Sequence, residues 1–143
     1  MIRAGIGALI LLVTTVAACV EPSPDATTRT VTLDGRAWQV LAATADGMRA
    51  RTTFAGADGM LFDRGTEVDP QSVFFVMDGV AFPLDIAWFD GSGRLVGTAS
   101  MPLCPAQRCP RHAAPAPFRW AIEAPPGAFA GLDGDARLVV EDD

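Results

Sequence analysis

The 143-residue sequence contains no lysine, no asparagine and no tyrosine, and it has one histidine, His112. Every basic residue is therefore an arginine, which reflects the codon bias of a GC-rich genome and carries no function by itself. An acidic, lysine-free chain of net charge −6 has no electrostatic footprint for nucleic acid. It is also weakly repelled by an anionic membrane surface. No nucleophile–base motif is present: His112 lies in a proline-rich stretch, and Ser72, Ser92 and Ser100 stand in no recognisable context. There is no Cys-x-x-Cys and no internal repeat. No cofactor is expected.

The start of the chain departs from this pattern. Arg3 precedes an almost uninterrupted apolar run from Ala4 to Ala18, the layout of a signal peptide. At about 15 residues the run is short of the roughly 20 that a membrane-spanning helix needs. It ends in Val16-Ala17-Ala18-Cys19, and small residues ahead of a cysteine resemble a lipobox. That resemblance implies cleavage before Cys19, a diacylglycerol thioether on its sulfur, and an extracytoplasmic protein lipid-anchored to a bacterial membrane. An ordinary cleavage site and a retained transmembrane anchor are the alternatives. A single chain anchors weakly, whereas two or three bury enough methylenes to hold. The expected organisation is a signal peptide over residues 1–18, a lipidated tether over 19–29 and one domain over 30–143. The tether is polar and carries Pro22 and Pro24, with no apolar period.

The domain reads as strand. Thr30–Leu33 and Ala37–Ala42 flank an Asp34-Gly35 turn, and Leu84–Phe89 with Arg94–Met101 flank Asp90-Gly91-Ser92-Gly93. Gly59–Phe62 is a brief apolar strand, followed by an acidic loop over Asp63–Gln71. Ser72–Met77 is continuously apolar and predicts a central strand. Phe118–Ala124 alternates, which puts Phe118, Trp120 and Ile122 inward and Arg119 and Glu123 outward. A last strand is expected over Ala136–Glu141, and short helices over Ala43–Arg51 and Ala128–Leu132. In Leu84–Phe89 the set Leu84, Ile86, Trp88 faces the core, and Phe89 faces outward or packs on a second cluster. The fold class is thus mainly β: a small closed, barrel-like or sandwich-like domain of about seven short strands with one or two short helices.

A series of segments resembles one family throughout the domain. Gly47-Met48 with Arg51 is followed by Asp58–Phe62, Phe75-x-Met77, Pro83–Asp90 and Gly93-Arg94. Then come Pro102-x-Cys104-Pro105, Cys109-Pro110, Phe118–Pro125 and Gly134-Asp135. In order and spacing these resemble the bacterial and archaeal "domain of unknown function 192" family. The resemblance implies a small, mainly β domain with no established activity, in a branch whose members are often exported or lipid-anchored. This chain departs from the pattern after Met77. The family usually carries a basic residue, then Asn or Asp, then Thr, where this chain has Asp78, Gly79 and Val80.

Several residues could carry chemistry. With Cys19 lipidated, Cys104 and Cys109 remain as an even, local pair, and an oxidising compartment favours a disulfide. The alternatives are a zinc site with His112, which has three ligands where structural zinc takes four, and a redox couple lacking its usual frame. Asp90-Gly91-Ser92-Gly93 and Asp133-Gly134-Asp135 suggest calcium but lack its ligand series, so turn chemistry accounts for them. Met77, Asp78 and Asp85 flank the entry to the hairpin and are the candidate ligand-site residues, either as surface acids or as an acid–base pair. Trp38, Trp88 and Trp120 with Phe74, Phe75, Phe82 and Phe118 line a pocket or form the core; a domain this small favours core.

Two functions follow: a non-catalytic binding or assembly module of the cell envelope, with an envelope protein or glycan as partner, or an envelope hydrolase or lyase using acids in an aromatic-lined cleft. The anchor is directly testable. The wild-type protein is expected in the detergent phase after phase separation, with an intact mass that begins at Cys19 and includes acyl chains. Cys19→Ser should release the protein to the aqueous phase or leave an uncut precursor. A mature chain that starts elsewhere without lipid excludes the anchor.

Overall fold

The computed structural model of the chain describes residues 27–49, 51–105 and 107–141. The signal segment, Cys19 and the tether as far as residue 26 lie outside them. Seven strands are present among the described residues. They are β1 (Thr28–Leu33), β2 (Arg36–Ala42), β3 (Gly59–Val68), β4 (Leu84–Phe89), β5 (Leu95–Met101), β6 (Phe118–Ala124) and β7 (Leu138–Val139). They form one curled sheet in the order β5-β4-β6-β3-β2-β1-β7. All pairs are antiparallel except β2 and β3, which run parallel across a connection at residues 43–58. The fold is mainly β and barrel-like.

Local chemistry explains the hairpins. Asp34 (φ 48°) and Gly35 (φ 78°) both sit in the left-handed region, as a two-residue turn matched to strand twist requires. In the β4–β5 turn, Asp90 Oδ1 accepts from the Ser92 and Arg94 amides at 2.9 and 3.0 Å and from the Ser92 hydroxyl at 2.7 Å. Burial of Asp90 raises its pKa, but these bonds outweigh it and hold the carboxyl below its ordinary range. The loop needs no cation to be satisfied. Asp133 closes its own turn in the same way, accepting from the Asp135 amide at 2.9 Å.

The expected short helices are absent from the described residues. Over residues 43–49 the chain makes separate turns, with Gly47 N–H donating to Thr44 O and Arg49 N–H to Asp46 O. Gly47 itself lies at φ +54°, a conformation that ends any helix at once. Residues 125–132 form i→i+3 turns broken by Gly127 (φ 85°) and Gly131 (φ 89°). Three strand expectations also change. The acidic loop after Phe62 is largely strand, because β3 runs on to Val68 against β6 across an irregularity. Ser72–Met77 is not a central strand: Phe75 alone pairs, with His112, while Phe74 and Val76 face solvent. The last strand is only Leu138–Val139, and the first begins at Thr28, inside the span read as tether.

Both faces of the sheet are buried. One face holds Leu41, Met60, Leu84, Ile86 and Trp88, covered by Met48 and Phe54 of the 43–58 connection and by Phe75 and Met77. The other holds Val31, Leu33, Val40, Leu61, Phe89 and Ile122, covered by Phe129 and Leu138. Leu84, Ile86 and Trp88 therefore face one core as expected, and Phe89 packs fully in the second cluster. All three tryptophans are buried, and Trp38 stacks on Phe129 with ring centroids 5.7 Å apart.

The curl is closed by a seam where opposite ends of the sheet meet. Arg94 bridges Arg137, Leu138 N–H donates to Gly93 O at 2.8 Å, and Leu95 N–H donates to Ala136 O at 3.1 Å. Gly93 lies at φ +82°, and a Cβ there would collide with the carbonyl of Leu138. Gly93→Ala is therefore expected to cost at least about 2 kcal/mol and to lower the melting temperature by roughly 10 °C. Gly134→Ala, where an added Cβ meets nothing within 4 Å, should stay within about 0.5 kcal/mol of wild type. Equal melting points for the two variants would show that the seam does not close the domain.

Candidate functional site

The chemistry of the domain concentrates on one side chain, Glu123. It stands on β6 opposite Met60 of β3 and Ile86 of β4, and paired residues share a face of a sheet. Met60 and Ile86 both belong to the first core, so Glu123 projects into that core and not outward as the alternation of β6 suggested. Only 7% of its surface is exposed, and it is the only buried polar or charged residue among those described. No hydrogen bond or ion pair reaches its carboxyl among the described residues. Burial alone therefore acts on it, raising its pKa from the ordinary 4.5 to about 7.

Glu123 is not sealed in. It lines a cleft of about 240 Å³ together with Met48, Phe62, Phe75, Val80 and the backbone at Gly47. Phe62 and Phe75 meet edge to face at 5.3 Å and make an aromatic wall. Gly47 presses on that wall: a Cβ there would come within 3.3 Å of the Phe62 ring. Asp46, Arg49 and Asp78 stand at the same cleft. Arg49 donates through Nε to the Asp78 carbonyl at 3.2 Å and lies 3.7 Å from its carboxylate. Both side chains are at least half exposed, so the pair adds little stability and serves mainly to fix the rim.

The other candidate residues fall in different places. Met77 is buried in the first core beneath the cleft, and Asp78 stands at its rim. Asp85 lies on the opposite side of the sheet from Leu84 and Ile86, where its carboxylate accepts from the Gly127 amide at 2.7 Å. It borders a separate hollow of about 350 Å³ with Thr98, Ser100 and Phe129. The sheet thus separates Asp78 from Asp85, and the two do not converge. Cys104 and Cys109 form a disulfide, their Cα atoms 5.5 Å apart. Their sulfurs are bonded to each other, which leaves no thiolate for the zinc reading. His112 pairs through its backbone with Phe75, at 2.8 and 2.9 Å, and burial lowers its pKa. Among the described residues no three His, Cys, Asp or Glu side chains gather as a metal site. Cys19 lies outside the described residues.

Arg119, at the same parity as Glu123, is only partly buried, so alternation alone puts both outward. Arg119 lies over the Trp120 ring at 4.2 Å and pairs with Asp63 at 3.3 Å. The one sequence signal that could have placed Glu123 is the apolar Ala121 at the same parity, a position the structure buries fully. A charge inside a strand buried on both faces is an exception that needs a reason.

Comparison with known proteins follows the same outline. The family model DUF192, described as an uncharacterized ACR, matches residues 25–139. No curated protein matches the chain. Two crystal structures share the fold at 22% sequence identity. One, from Novosphingobium aromaticivorans DSM 12444, is of unknown function; it superposes with a TM-score of 0.69 and covers 87% of this chain and 94% of its own. The other, from Sinorhizobium meliloti 1021 and described as a candidate transcription regulator, has a TM-score of 0.65 and covers 82% and 96%.

The burial of Glu123 has a measurable consequence. Below about pH 4.5 the carboxyl is neutral in both folded and unfolded chains. Between about 4.5 and 7 the unfolded chain has lost that proton while the folded chain keeps it. Stability therefore falls as pH rises through that window and levels off above it, by an amount on the order of 3 kcal/mol. Glu123→Gln should remove this component. Urea midpoints of wild type and variant are expected to be closest near pH 5, with the variant ahead at pH 8. A constant difference at all pH values would mean that Glu123 is solvated.

Proposed function

We propose, from the premise that the chain belongs to the DUF192 family, that this member is a non-catalytic binding module of the cell envelope. In this reading it is exported, held to a bacterial membrane through lipid on Cys19, and takes its ligand in the cleft over Glu123. The observation that carries the reading is the Glu123 carboxyl, buried without a partner at the floor of an aromatic-walled cleft. The cleft gives solvent access to the carboxyl, and a ligand gains where it replaces that solvent with a hydrogen bond of its own. At about 240 Å³ the cleft lies below the size of drug-like pockets. It suits a small molecule or one terminal group of an envelope protein or glycan.

The second reading, an envelope hydrolase or lyase, draws support from the same carboxyl, because an acid held near neutrality suits general acid–base work. It is the weaker one. Asp78 is engaged by Arg49 at the rim, and Asp85 is on the other side of the sheet, so neither is poised as a second catalytic acid. A transcriptional role, suggested by the description of one fold neighbour, meets an acidic chain without lysine.

The test is a fragment screen by amide NMR on the full mature chain in detergent. Fragments that bind should shift the amides of Gly47, Phe62 and Phe75 together and emerge chemically unchanged. Fragments that shift only residues around Asp85 would move the site, and hydrolysed fragments would favour the enzyme.

A further inference from the structure

The ligand's charge can be argued from what surrounds Glu123, given the reading of the cleft as a binding site. Four charged side chains line the cleft: Asp46 and Arg49 from the 43–58 connection, Asp78 from the segment after Met77, and Glu123 from β6. The strands beside Glu123 contribute no charge, only Met60 and Phe62 from β3 and Ile86 from β4. Arg49 is the only cation of the lining among the described residues, and Asp78 already engages it through both carboxylate and carbonyl. The remaining charge of the lining, Asp46 and Glu123, is negative, and Arg111 stands outside it over the Phe74 ring. A carboxylate or phosphate ligand would meet Asp46 and Glu123, and Arg49 could receive it only in competition with Asp78.

Neutral ligands are accommodated less well than cationic ones. With a neutral ligand, Glu123 either stays protonated, donating through its O–H and accepting at its carbonyl oxygen without charge assistance, or ionises without a counter-charge, which burial opposes. An ammonium group supplies three donors and a full positive charge to the same carboxyl. Charge-assisted bonds are roughly twice as strong as neutral ones, and they gain further where water is excluded. The walls complement such a group: Phe62 and Phe75 offer aromatic surface, and Met48 and Val80 offer aliphatic surface, while the Phe74 ring is already covered by the Arg111 guanidinium. Aromatic faces attract a desolvated cation by a further increment.

We infer that the cleft binds a small primary amine in its cationic form, the ammonium on the Glu123 carboxylate and a short apolar body against Phe62, Phe75 and Met48. Binding is coupled to a proton: a neutral Glu123 carboxyl releases its proton to solvent as the ammonium salt bridge forms, and no other bond is made or broken. At pH 6 most of the carboxyl is protonated, so the amine's affinity rises about tenfold between pH 6 and pH 8.

The experiment is calorimetric titration of the full mature chain in detergent with three matched series. These are benzylamine, 3-methylbutylamine and cyclohexylamine, each against its alcohol and the corresponding carboxylate. At least one amine is expected to bind about tenfold or more tightly than its alcohol, with its carboxylate undetectable. In two buffers of different ionisation heat at pH 6, that amine should release close to one proton. Glu123→Gln should abolish the preference for amine over alcohol, and the variant's urea unfolding transition shows whether it is folded. Should the variant not fold, the proton count on the wild type carries the test. Alcohols that bind as well as amines to wild type and variant alike, and shift the cleft amides, would overturn the cationic inference and leave the binding site standing. Tighter binding of a carboxylate would overturn it too. If no probe of any charge shifts the cleft amides, both the inference and the binding-module reading fall.

Discussion

The organisation of this domain depends on a strand that has no solvent side. β6 lies between β3 and β4 near the middle of the sheet, and every residue from Trp120 to Ala124 is buried. Trp120, Ile122 and Ala124 enter one core while Ala121 and Glu123 enter the other. The curl of the sheet makes this possible, because it wraps one apolar face while the 43–58 connection and the segment around Phe75 and Met77 cover the other. A strand placed in this way must be apolar at both parities or carry a polar group at a cost. β6 obeys the first condition at all of these positions but one.

That one position stands apart from every comparable carboxylate. Asp63 is held by the Gly65 amide and Arg119, Asp85 by the Gly127 amide, and Asp90 by its own turn. Each of these acids has a structural task that consumes its lone pairs. Glu123 has none, although Gln of the same shape would fit without the burden of a charge. Next to it on the same face, the buried indole N–H of Trp88 also lacks an acceptor among the described residues. The indole N–H of Trp120, in the second core, likewise lacks an acceptor among the described residues, so unmet polar capacity is not confined to the side where the cleft opens. Stability gives no reason for this arrangement.

Much of the architecture was legible beforehand, and the reasons are local. Asp34-Gly35 and the Asp90–Gly93 turn encode their hairpins through backbone conformations that few other residues tolerate, and the alternating run Phe118–Ala124 is strand β6 over the same bounds. What failed depended on partners far away. Ser72–Met77 has the composition of a strand, yet only Phe75 finds a pairing partner, so its apolar residues split between core and solvent. Asp63–Val68 has the composition of a loop, yet β6 reaches far enough to pair with it. Asp78 and Asp85 are close in sequence and were paired on that ground, whereas β4 begins between them and puts Asp85 on the second face. Glu123 was lost to the same kind of error: alternation along one strand says which residues share a face, but not whether the other face is wet.

The seam at Gly93 and Leu138 bears on how the chain comes to be folded at all. Strand β1 pairs with β7 at Leu33 and Leu138, and Arg29 reaches the Glu141 carbonyl, so the first strand is completed only by the last residues. Loop-closure entropy for such distant contacts is spent before they return anything, which makes this kind of topology slow to form. A chain made from its N-terminus cannot finish β1 until Leu138 has left the ribosome. Until then β6, apolar on both sides, has one or both faces in water. A nascent or stalled chain is therefore a sticky object, one that holdase chaperones would bind and that truncation near the C-terminus would turn towards aggregation.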